Sequence, residues 1–201
     1  EKRVGRSFEY WSHLYPKLQS TFPGALKDVK LDDYYRFINQ VRPSLNRVES
    51  DEVTYGLHVV IRFELEQPLI EGAISVKELP ALWSDAYKKS LGITPPDDLS
   101  GILQDTHWYS GALGYFPTYL LGAMYATQLF EAYEKVNPEI RSQIKRGEMG
   151  ELKRWLNKSI HREGRRYTAK DLMERATGSQ PSSESYLRYL NTKYSEIYGL
   201  E

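Results

Sequence analysis

One stretch near the middle of the chain concentrates side chains that can do chemistry. It runs from Gly101 to Tyr125 and carries an amide, a carboxylate, an imidazole, an indole and several phenols: Gln104, Asp105, His107, Trp108, Tyr109, Tyr115, Tyr119 and Tyr125. Glycine, alanine and serine lie between them, and such small residues let another molecule approach the backbone. We predict that this segment lines a polar cleft and that the other elements hold it in place.

The chemistry of this stretch is centred on Gln104, Asp105 and His107. They offer an amide, an anion and a donor whose charge changes near neutral pH, all within one turn. Two interpretations are open. The three side chains can form a buried hydrogen-bond network that fixes a loop. They can also steady a polarised carbonyl, or orient the partner of a metal supplied from elsewhere.

A second set of polar residues recurs at spacings of three and four between residues 47 and 66, which we predict to form one long helix. The set is Arg47, Asp51, Tyr55 (or Thr54), His58 and Arg62. Such a face is commonly solvated or salt-bridged, but a tyrosine and a histidine among the charges favour the wall of a cleft. We predict that Asp51, Tyr55 and His58 line the same cleft as His107. The apolar residues expected to face the core are Val53, Leu57, Val60, Ile61 and Leu65.

Helical periodicity and capping signals predict a mainly α fold of about eight to ten helices. A capping box from Ser75 to Glu78, a break at Asn137–Pro138 and a cap at Thr168 mark helix ends. The first predicted helix covers residues 3–21 and has a kink at Pro16, and the helix that begins at residue 79 ends before the loop at 92–101. The other predicted helices cover residues 32–41, 47–66, 115–136, 139–146, 149–163, 168–178 and 183–198. No β-hairpin, internal repeat or low-complexity tract is visible.

The composition limits the kinds of partner. The 201-residue chain balances 27 basic against 27 acidic residues, which argues against DNA or an anionic membrane. Basic residues gather between Arg141 and Arg166, but acidic residues alternate with them, so a solvated helix face is favoured over a nucleic-acid interface. The sequence has no cysteine, which excludes disulfides and thiolate sites. The sequence has no apolar run long enough to cross a membrane and no visible signal peptide, so we predict a soluble, cytoplasmic protein.

Common catalytic motifs do not occur in the sequence: it has no HExxH, no glycine-rich phosphate loop and no GxSxG. The histidines, at positions 13, 58, 107 and 161, are isolated from one another, and none lies at metal-ligand spacing from another. The sequence therefore predicts no metal site wholly within this chain. We interpret His13 and His161 as structural hydrogen-bonding residues.

The first residues suggest that more protein precedes them. The chain opens with EKRVGRSFEYW, without an initiator methionine or a helix cap. Val4, Phe8, Trp11 and Tyr15 already recur at helical spacing. We expect this sequence to be the later part of a longer protein.

Several motifs together resemble one family. GILQDTHW, residues 101–108, matches the family pattern GxxQDxHW, and NRVESD, residues 46–51, resembles IRxxAD with Asn for Ile and Ser for Ala. Further matches, in the family's order, are VGRS at 4–7, DEVTY at 51–55, RFELE at 62–66, GYFPTY at 114–119, GRRYT at 164–168 and the end at 193–200. The chain thus resembles about the last two fifths of the carboxypeptidase Taq family, thermostable HExxH metallocarboxypeptidases.

The resemblance implies a neurolysin-like, multi-helix HExxH fold, with residues 1–201 as the C-terminal helical portion of its catalytic domain. In the family, two His and one Glu hold zinc or cobalt, and a further Glu activates water; all would lie upstream of Glu1. No metal or other cofactor is then expected in this chain alone, which would be inactive. The intact protein would be a homodimer that removes C-terminal amino acids from peptides with a free C-terminus, without nucleic-acid or membrane partners.

The resemblance also implies residue roles. His107 and one of Tyr115 or Tyr119 would donate to the oxyanion as it forms. Arg47 would pair with the substrate carboxylate, with Asp51 one turn later holding its guanidinium. The predicted substrate-binding residues are Arg47, Asp51, Gln104, Asp105 and Trp108, of which Gln104 and Asp105 would orient His107. The alternative is a non-catalytic helical interaction module that keeps the fold without the metal site.

Overall fold

A computed structural model describes residues 2–200, and within them the chain forms α-helices, two short 3₁₀ helices and no β-strand. The α-helices are α1 (Lys2–Gly5), α2 (Phe8–Thr21), α3 (Pro23–Leu26), α4 (Leu31–Ile38), α5 (Thr54–Ile70), α6 (Leu79–Leu91), α7 (Pro117–Val136), α8 (Ile140–Lys145), α9 (Gly150–Ser159), α10 (Ala169–Thr177) and α11 (Glu184–Tyr198). The 3₁₀ helices are Ile102–Gln104 and His161–Glu163. The predicted mainly α fold is confirmed, with more and shorter helices than expected.

Local capping signals placed several helix ends correctly. The backbone N–H and the hydroxyl of Ser75 both donate to Glu78, at 2.8 and 2.7 Å, and α6 begins directly after this box. The hydroxyl of Thr168 accepts the N–H of Asp171 and caps α10. Because each signal involves neighbours in sequence, it could be interpreted without knowledge of the tertiary fold.

The helices predicted over 32–41 and 149–163 end earlier, at Ile38 and Ser159, and two other predicted helices differ more. The helix expected over residues 3–21 is divided at Ser7, whose hydroxyl accepts the N–H of Tyr10 and starts α2 anew. The helix expected over residues 47–66 is shorter at its beginning, since α5 starts at Thr54 and the chain before it is a loop. Arg47 and Asp51 therefore lie in this loop and not on a helix.

The chain divides into two compact units, each with its own core. One unit combines the chain up to Asn39 with the chain from Ala123 onward, and its core consists of Phe130, Tyr133, Ile140 and Ile144. The other unit, Gln40–Gly122, packs α5 against α6 around Ile61, Leu65, Leu79, Trp83, Tyr87 and Leu91. All residues predicted for catalysis or substrate binding belong to this second unit, which we call the site unit.

Helix α5 buries polar side chains and exposes apolar ones. The buried polar residues are Thr54, His58, Arg62 and Glu66. Leu57 and Val60, predicted to face the core, are 40% and 37% exposed, whereas Ile61 and Leu65 are buried as predicted. The polar face turns inward because its groups find partners within the site unit, and paired polar groups can be buried at low cost.

None of the helices within residues 2–200 combines the length and the apolar character that crossing a membrane requires.

Candidate active site

Asp105 follows the 3₁₀ helix Ile102–Gln104 and joins two arginines that are distant in sequence. Its Oδ1 accepts a hydrogen bond from Nη2 of Arg47 at 2.7 Å, and its Oδ2 accepts one from Nε of Arg62 at 2.5 Å. Burial by itself raises the pKa of Asp105, but the hydrogen bonds and charges of the two guanidinium groups outweigh burial and hold the pKa below its usual value. Asp105 is therefore an anion between two cations. We call these three residues the charge cluster.

Arg47 is held on several sides in the loop before α5, with its side chain only 7% exposed. Its guanidinium carbon lies 4.9 Å from the ring centre of Tyr119 and 5.5 Å from that of Phe116, both within cation–π range. It also forms a hydrogen bond with the hydroxyl of Tyr55. Burial lowers the pKa of Arg47, but the hydrogen bond and charge of Asp105 outweigh it and raise the pKa. Arg47 is thus a fixed, permanently charged group.

The predicted pairing of Asp51 with Arg47 is wrong. Oδ1 of the buried Asp51 accepts the backbone N–H groups of Val53 and Thr54, each at 2.8 Å. Its Oδ2 accepts the hydroxyl of Thr54 at 2.7 Å and the backbone N–H of Arg42 at 3.0 Å. The carboxylate therefore satisfies the first amides of α5 and closes the loop that carries Arg47. Asp51 supports the position of Arg47 through the backbone.

His58 and Arg62 are completely buried and share a partner on α6. Nδ1 of His58 lies 3.0 Å from the hydroxyl oxygen of Tyr87, and the same oxygen accepts from Nη2 of Arg62 at 3.3 Å. Nη1 of Arg62 donates to the carbonyl of His58 at 2.7 Å. The prediction that His58 lines the same cleft as His107 is wrong, because its side chain is completely buried against these partners. Tyr55, in contrast, is half-buried and lies beside Arg47.

Acidification is expected to destabilise the protein through His58. Burial, followed by the charge of Arg62, lowers the pKa of His58 from 6.5 to about 4. Between these values the unfolded chain binds a proton that the folded chain excludes, so the free energy of unfolding falls as the pH drops from 6.5 toward 4, by on the order of 3 kcal/mol. Urea unfolding of the wild type and of His58→Gln at pH 7 and pH ~4.5 measures this effect. The variant should lose less stability on acidification, and an equal loss in both proteins would contradict the assignment.

His107 meets the residues that lead into α7. Its Nε2 lies 2.9 Å from the hydroxyl oxygen of Tyr119, and its ring centre lies 4.6 Å from that of Phe116. The Tyr115 ring lies 5.8 Å from the His107 ring, and its side chain is about half exposed. The structure therefore brings the three predicted catalytic residues together and gives Tyr119, of the two tyrosines, the hydrogen bond to His107.

The contacts expected to orient His107 differ from the prediction. The amide nitrogen of Gln104 donates to the carbonyl of Ser100 and makes no hydrogen bond to His107. Oδ1 of Asp105 lies 3.9 Å from Nδ1 of His107, which is too far for a hydrogen bond, and this nitrogen has no such partner among residues 2–200. Tyr119 and the packing of aromatic rings hold His107 instead.

Trp108 belongs to the same aromatic packing. Its ring meets Trp83 and Phe116 edge to face, with ring centres 6.1 and 6.0 Å away. Phe116 in turn supports His107 and Arg47. The contacts of Trp108 therefore connect the core of the site unit to the predicted site, while a contact between Trp108 and substrate remains a prediction.

Glu66, Arg62 and Tyr87 were not among the predicted site residues. The buried carboxylate of Glu66 accepts the backbone N–H of Gly114, which adopts a positive φ and precedes Tyr115. Glu66 thus anchors the turn that presents Tyr115. The RFELE match contained both Arg62 and Glu66 and was a usable signal, whereas Tyr87 lies in none of the matching motifs.

Metal-binding capacity can be judged from the distribution of donor side chains. The part of the chain that the structure describes contains no group of three or more His, Cys, Asp or Glu residues able to hold a metal ion. These residues therefore do not fit a complete metal site.

Comparison with known proteins places this helical chain in a class of metallopeptidases. A family model described as Carboxypeptidase Taq (M32) metallopeptidase matches residues 1–194, and the chain belongs to this family. The predicted resemblance is confirmed.

The relatives are longer than this chain. Carboxypeptidase 1 of Bacillus subtilis is 43% identical over 98% of this chain and 40% of its own length. Thermostable carboxypeptidase 1 of Thermus thermophilus is also 43% identical, over 99% of this chain and 39% of its own length. A crystal structure of an M32 carboxypeptidase from Deinococcus radiodurans superimposes with a TM-score of 0.96 at 40% identity, covering 99% of this chain and 40% of that one. The chain spans about two fifths of the length of these relatives.

Proposed function

We propose that this chain is the substrate-binding and transition-state-stabilising part of a metal-dependent carboxypeptidase that removes C-terminal amino acids from peptides. One observation carries the proposal: the ring of Tyr119 lies against the Arg47 guanidinium while its hydroxyl is bonded to His107. Tyr119 thus connects two groups. One is the Arg47 cation, which suits a terminal carboxylate, and the other is the pair of donors His107 and Tyr119, which suits a reacting carbonyl. An exopeptidase needs these two groups at a fixed separation.

Arg47 has the properties of a carboxylate-binding group in this proposal. Asp105 takes the edge of the guanidinium formed by Nε and Nη2. We propose that the edge formed by Nη1 and Nη2, close to the Tyr55 hydroxyl that also bonds Arg47, binds a second carboxylate through two parallel hydrogen bonds. Since Arg47 is fixed before substrate arrives, little side-chain entropy is lost on binding. We propose that the free C-terminus of the peptide binds at this edge, beside the Tyr55 hydroxyl.

His107 and Tyr119 have the properties of oxyanion donors. The hydrogen bond between Nε2 and the phenol leaves one proton between the two groups and one free to donate. When a tetrahedral intermediate forms, we propose that this proton is donated to the new negative charge by a group already held in place, and fixed donors of this kind stabilise such charges strongly. Tyr115, on the turn anchored by Glu66, is the second candidate donor.

The family implies a metal in the intact enzyme, and we propose that its ligands lie in the part of the family's length that this chain does not match. We also propose, from the family resemblance, that the ion is zinc or cobalt and that the intact enzyme is a homodimer of the cytoplasm. Metal analysis, sedimentation and cell fractionation test these three points separately.

The proposed function is tested with the intact, metal-loaded protein and an N-blocked dipeptide that has a free C-terminal carboxylate. We expect the C-terminal residue to be released, the reaction to stop with a chelator, and the C-terminal amide of the same dipeptide to be a poor substrate. Absence of turnover with any divalent metal would favour the non-catalytic interaction module. Equal cleavage of acid and amide would exclude a carboxypeptidase.

The 201-residue chain by itself is expected to bind no catalytic metal and to hydrolyse no peptide. The reason is the lack of an HExxH sequence in the chain. Metal analysis of the purified chain and an assay on the same N-blocked dipeptide measure both properties. Stoichiometric zinc together with chelator-sensitive turnover would show that this expectation is wrong.

A further inference from the structure

Arg62 carries a charge that the proposed function has not used. Its side chain is fully buried and reaches neither solvent nor the surface where a substrate would bind. Three of its nitrogens have partners, namely Asp105, the carbonyl of His58 and the hydroxyl of Tyr87. Two of these partners are neutral, so Asp105 is the only anion among the hydrogen-bond partners that Arg62 has within residues 2–200.

The charge cluster therefore contains more positive than negative charge. Asp105 is the one carboxylate that forms a recorded ion pair with Arg47 or Arg62 among residues 2–200, so these three residues together carry one net positive charge. His58 does not alter this count, because its lowered pKa keeps it neutral at physiological pH. Asp51 directs its oxygens to backbone amides and a hydroxyl and forms no ion pair with the cluster.

We propose that Arg62 is a positioning residue for substrate recognition: it neutralises Asp105, so that Asp105 can hold Arg47 in place without cancelling the charge that binds the substrate carboxylate. This inference rests on the proposed function. It explains why a site that binds the negatively charged substrate carboxylate also contains the negatively charged Asp105. Asp105 alone would fix the orientation of Arg47 but would also repel the incoming carboxylate. With Arg62 behind it, the orientation is kept and the repulsion is offset.

The arrangement also explains why the second cation is buried. An exposed arginine would compete with Arg47 for the substrate carboxylate and would be screened by salt. Arg62 is instead stacked on Trp83 at 4.6 Å and tied to Tyr87, so its charge acts on Asp105 at close range in a medium of low dielectric constant. Its effect reaches the substrate through the electrostatic field and through the orientation of Arg47.

The test uses the intact enzyme and steady-state kinetics on the N-blocked dipeptide with a free carboxylate. Arg62→Gln removes the charge, and Arg62→Lys keeps it without the guanidinium fork. The double variant Arg62→Gln/Asp105→Asn restores one net positive charge, while the Asn oxygen still accepts from Arg47. Tyr87→Phe is the matched control, because it removes one buried hydrogen bond of Arg62 and leaves every charge in place.

We expect Arg62→Gln to raise KM on the order of tenfold or more, with kcat changed only a few-fold. Arg62→Lys and the double variant should return KM close to the wild-type value, and Tyr87→Phe, which keeps every charge, should raise KM far less than Arg62→Gln does. A purely structural role would lower stability in all variants and would not respond to charge. The Ki of the free amino acid product should follow the same order, which gives a readout that does not depend on turnover.

Several outcomes would overturn the inference. It is wrong if Arg62→Lys raises KM as much as Arg62→Gln, or if the double variant shows no recovery. If Arg62→Gln does not fold, the double variant and Arg62→Lys still decide, since a large rise in KM in either contradicts the role of charge. If Arg47→Ala lacks the expected preference between acid and amide substrates, the proposed function fails. If Arg47→Ala behaves as expected and the Arg62 series does not, only this inference fails.

Discussion

Arg47→Ala in the intact enzyme is expected to cost about 2–5 kcal/mol in kcat/KM on substrates with a free C-terminal carboxylate, the scale for truncating one partner of a desolvated charge pair. The residue is buried, and its charge is fixed by Asp105 and flanked by Tyr119. The variant should fold, because Asp105 keeps its ion pair with Arg62 and is not left as an isolated buried charge. Kinetics on an N-blocked dipeptide and its amide measure the effect.

The controls for Arg47 separate carboxylate recognition from general loss of charge. Cleavage of the amide should change little, and Arg47→Lys should restore only part of the activity, because an ammonium group cannot reproduce the two parallel hydrogen bonds. Arg42→Ala removes an exposed arginine from the same loop and should have a small effect. If Arg47→Ala lowers activity equally on acid and amide, Arg47 is not the carboxylate-binding group.

Tyr119→Phe is expected to lower kcat by on the order of 10²–10³-fold with little change in KM, the scale for losing one oxyanion donor. The hydroxyl is the partner of His107 at 2.9 Å, so its removal takes away a donor and also frees the imidazole. The ring remains and still covers Arg47, so substrate binding should be preserved. Single-turnover kinetics of the intact enzyme measure the chemical step.

Tyr115→Phe is the matched comparison for Tyr119→Phe. Both changes remove one hydroxyl, but the Tyr115 side chain is about half exposed and contacts His107 through its ring. We expect the smaller loss of kcat from Tyr115→Phe. A large loss from Tyr115→Phe with a near-normal Tyr119→Phe would mean that the turn anchored by Glu66 moves and delivers the Tyr115 hydroxyl to the oxyanion.

The start of α5 shows where sequence reasoning reached its limit. Periodicity from Arg47 onward is typical of a helix, yet the Asp51 carboxylate binds the amides of Val53 and Thr54 and a loop forms instead. Aspartate can compete with the helix in this way, and periodicity does not report that competition. Helix ends set by near neighbours, such as that at Ser75 and Glu78, were predicted correctly.

The partners within the candidate site were harder to predict than its members. Helical spacing predicted Asp51 as the partner of Arg47, but the partner is Asp105, 58 positions away. A single sequence contains no measure of such a distant pairing. The burial of His58 and Arg62 was missed for the same reason, because charged residues are expected outside unless their partners are known. The closeness of His107 and Tyr119 was predicted only through the family resemblance.

The long separations within the charge cluster also bear on the order of folding. Asp105 is joined to Arg47 across 58 positions and to Arg62 across 43. Closing such loops costs chain entropy before any contact is gained, whereas α5 and α6 are neighbours in sequence and pack directly on each other. The helical pair is therefore expected to form early, with Arg62 still hydrated until Asp105 arrives. A nascent chain stopped at that stage would contain the packed pair α5 and α6 but no binding site.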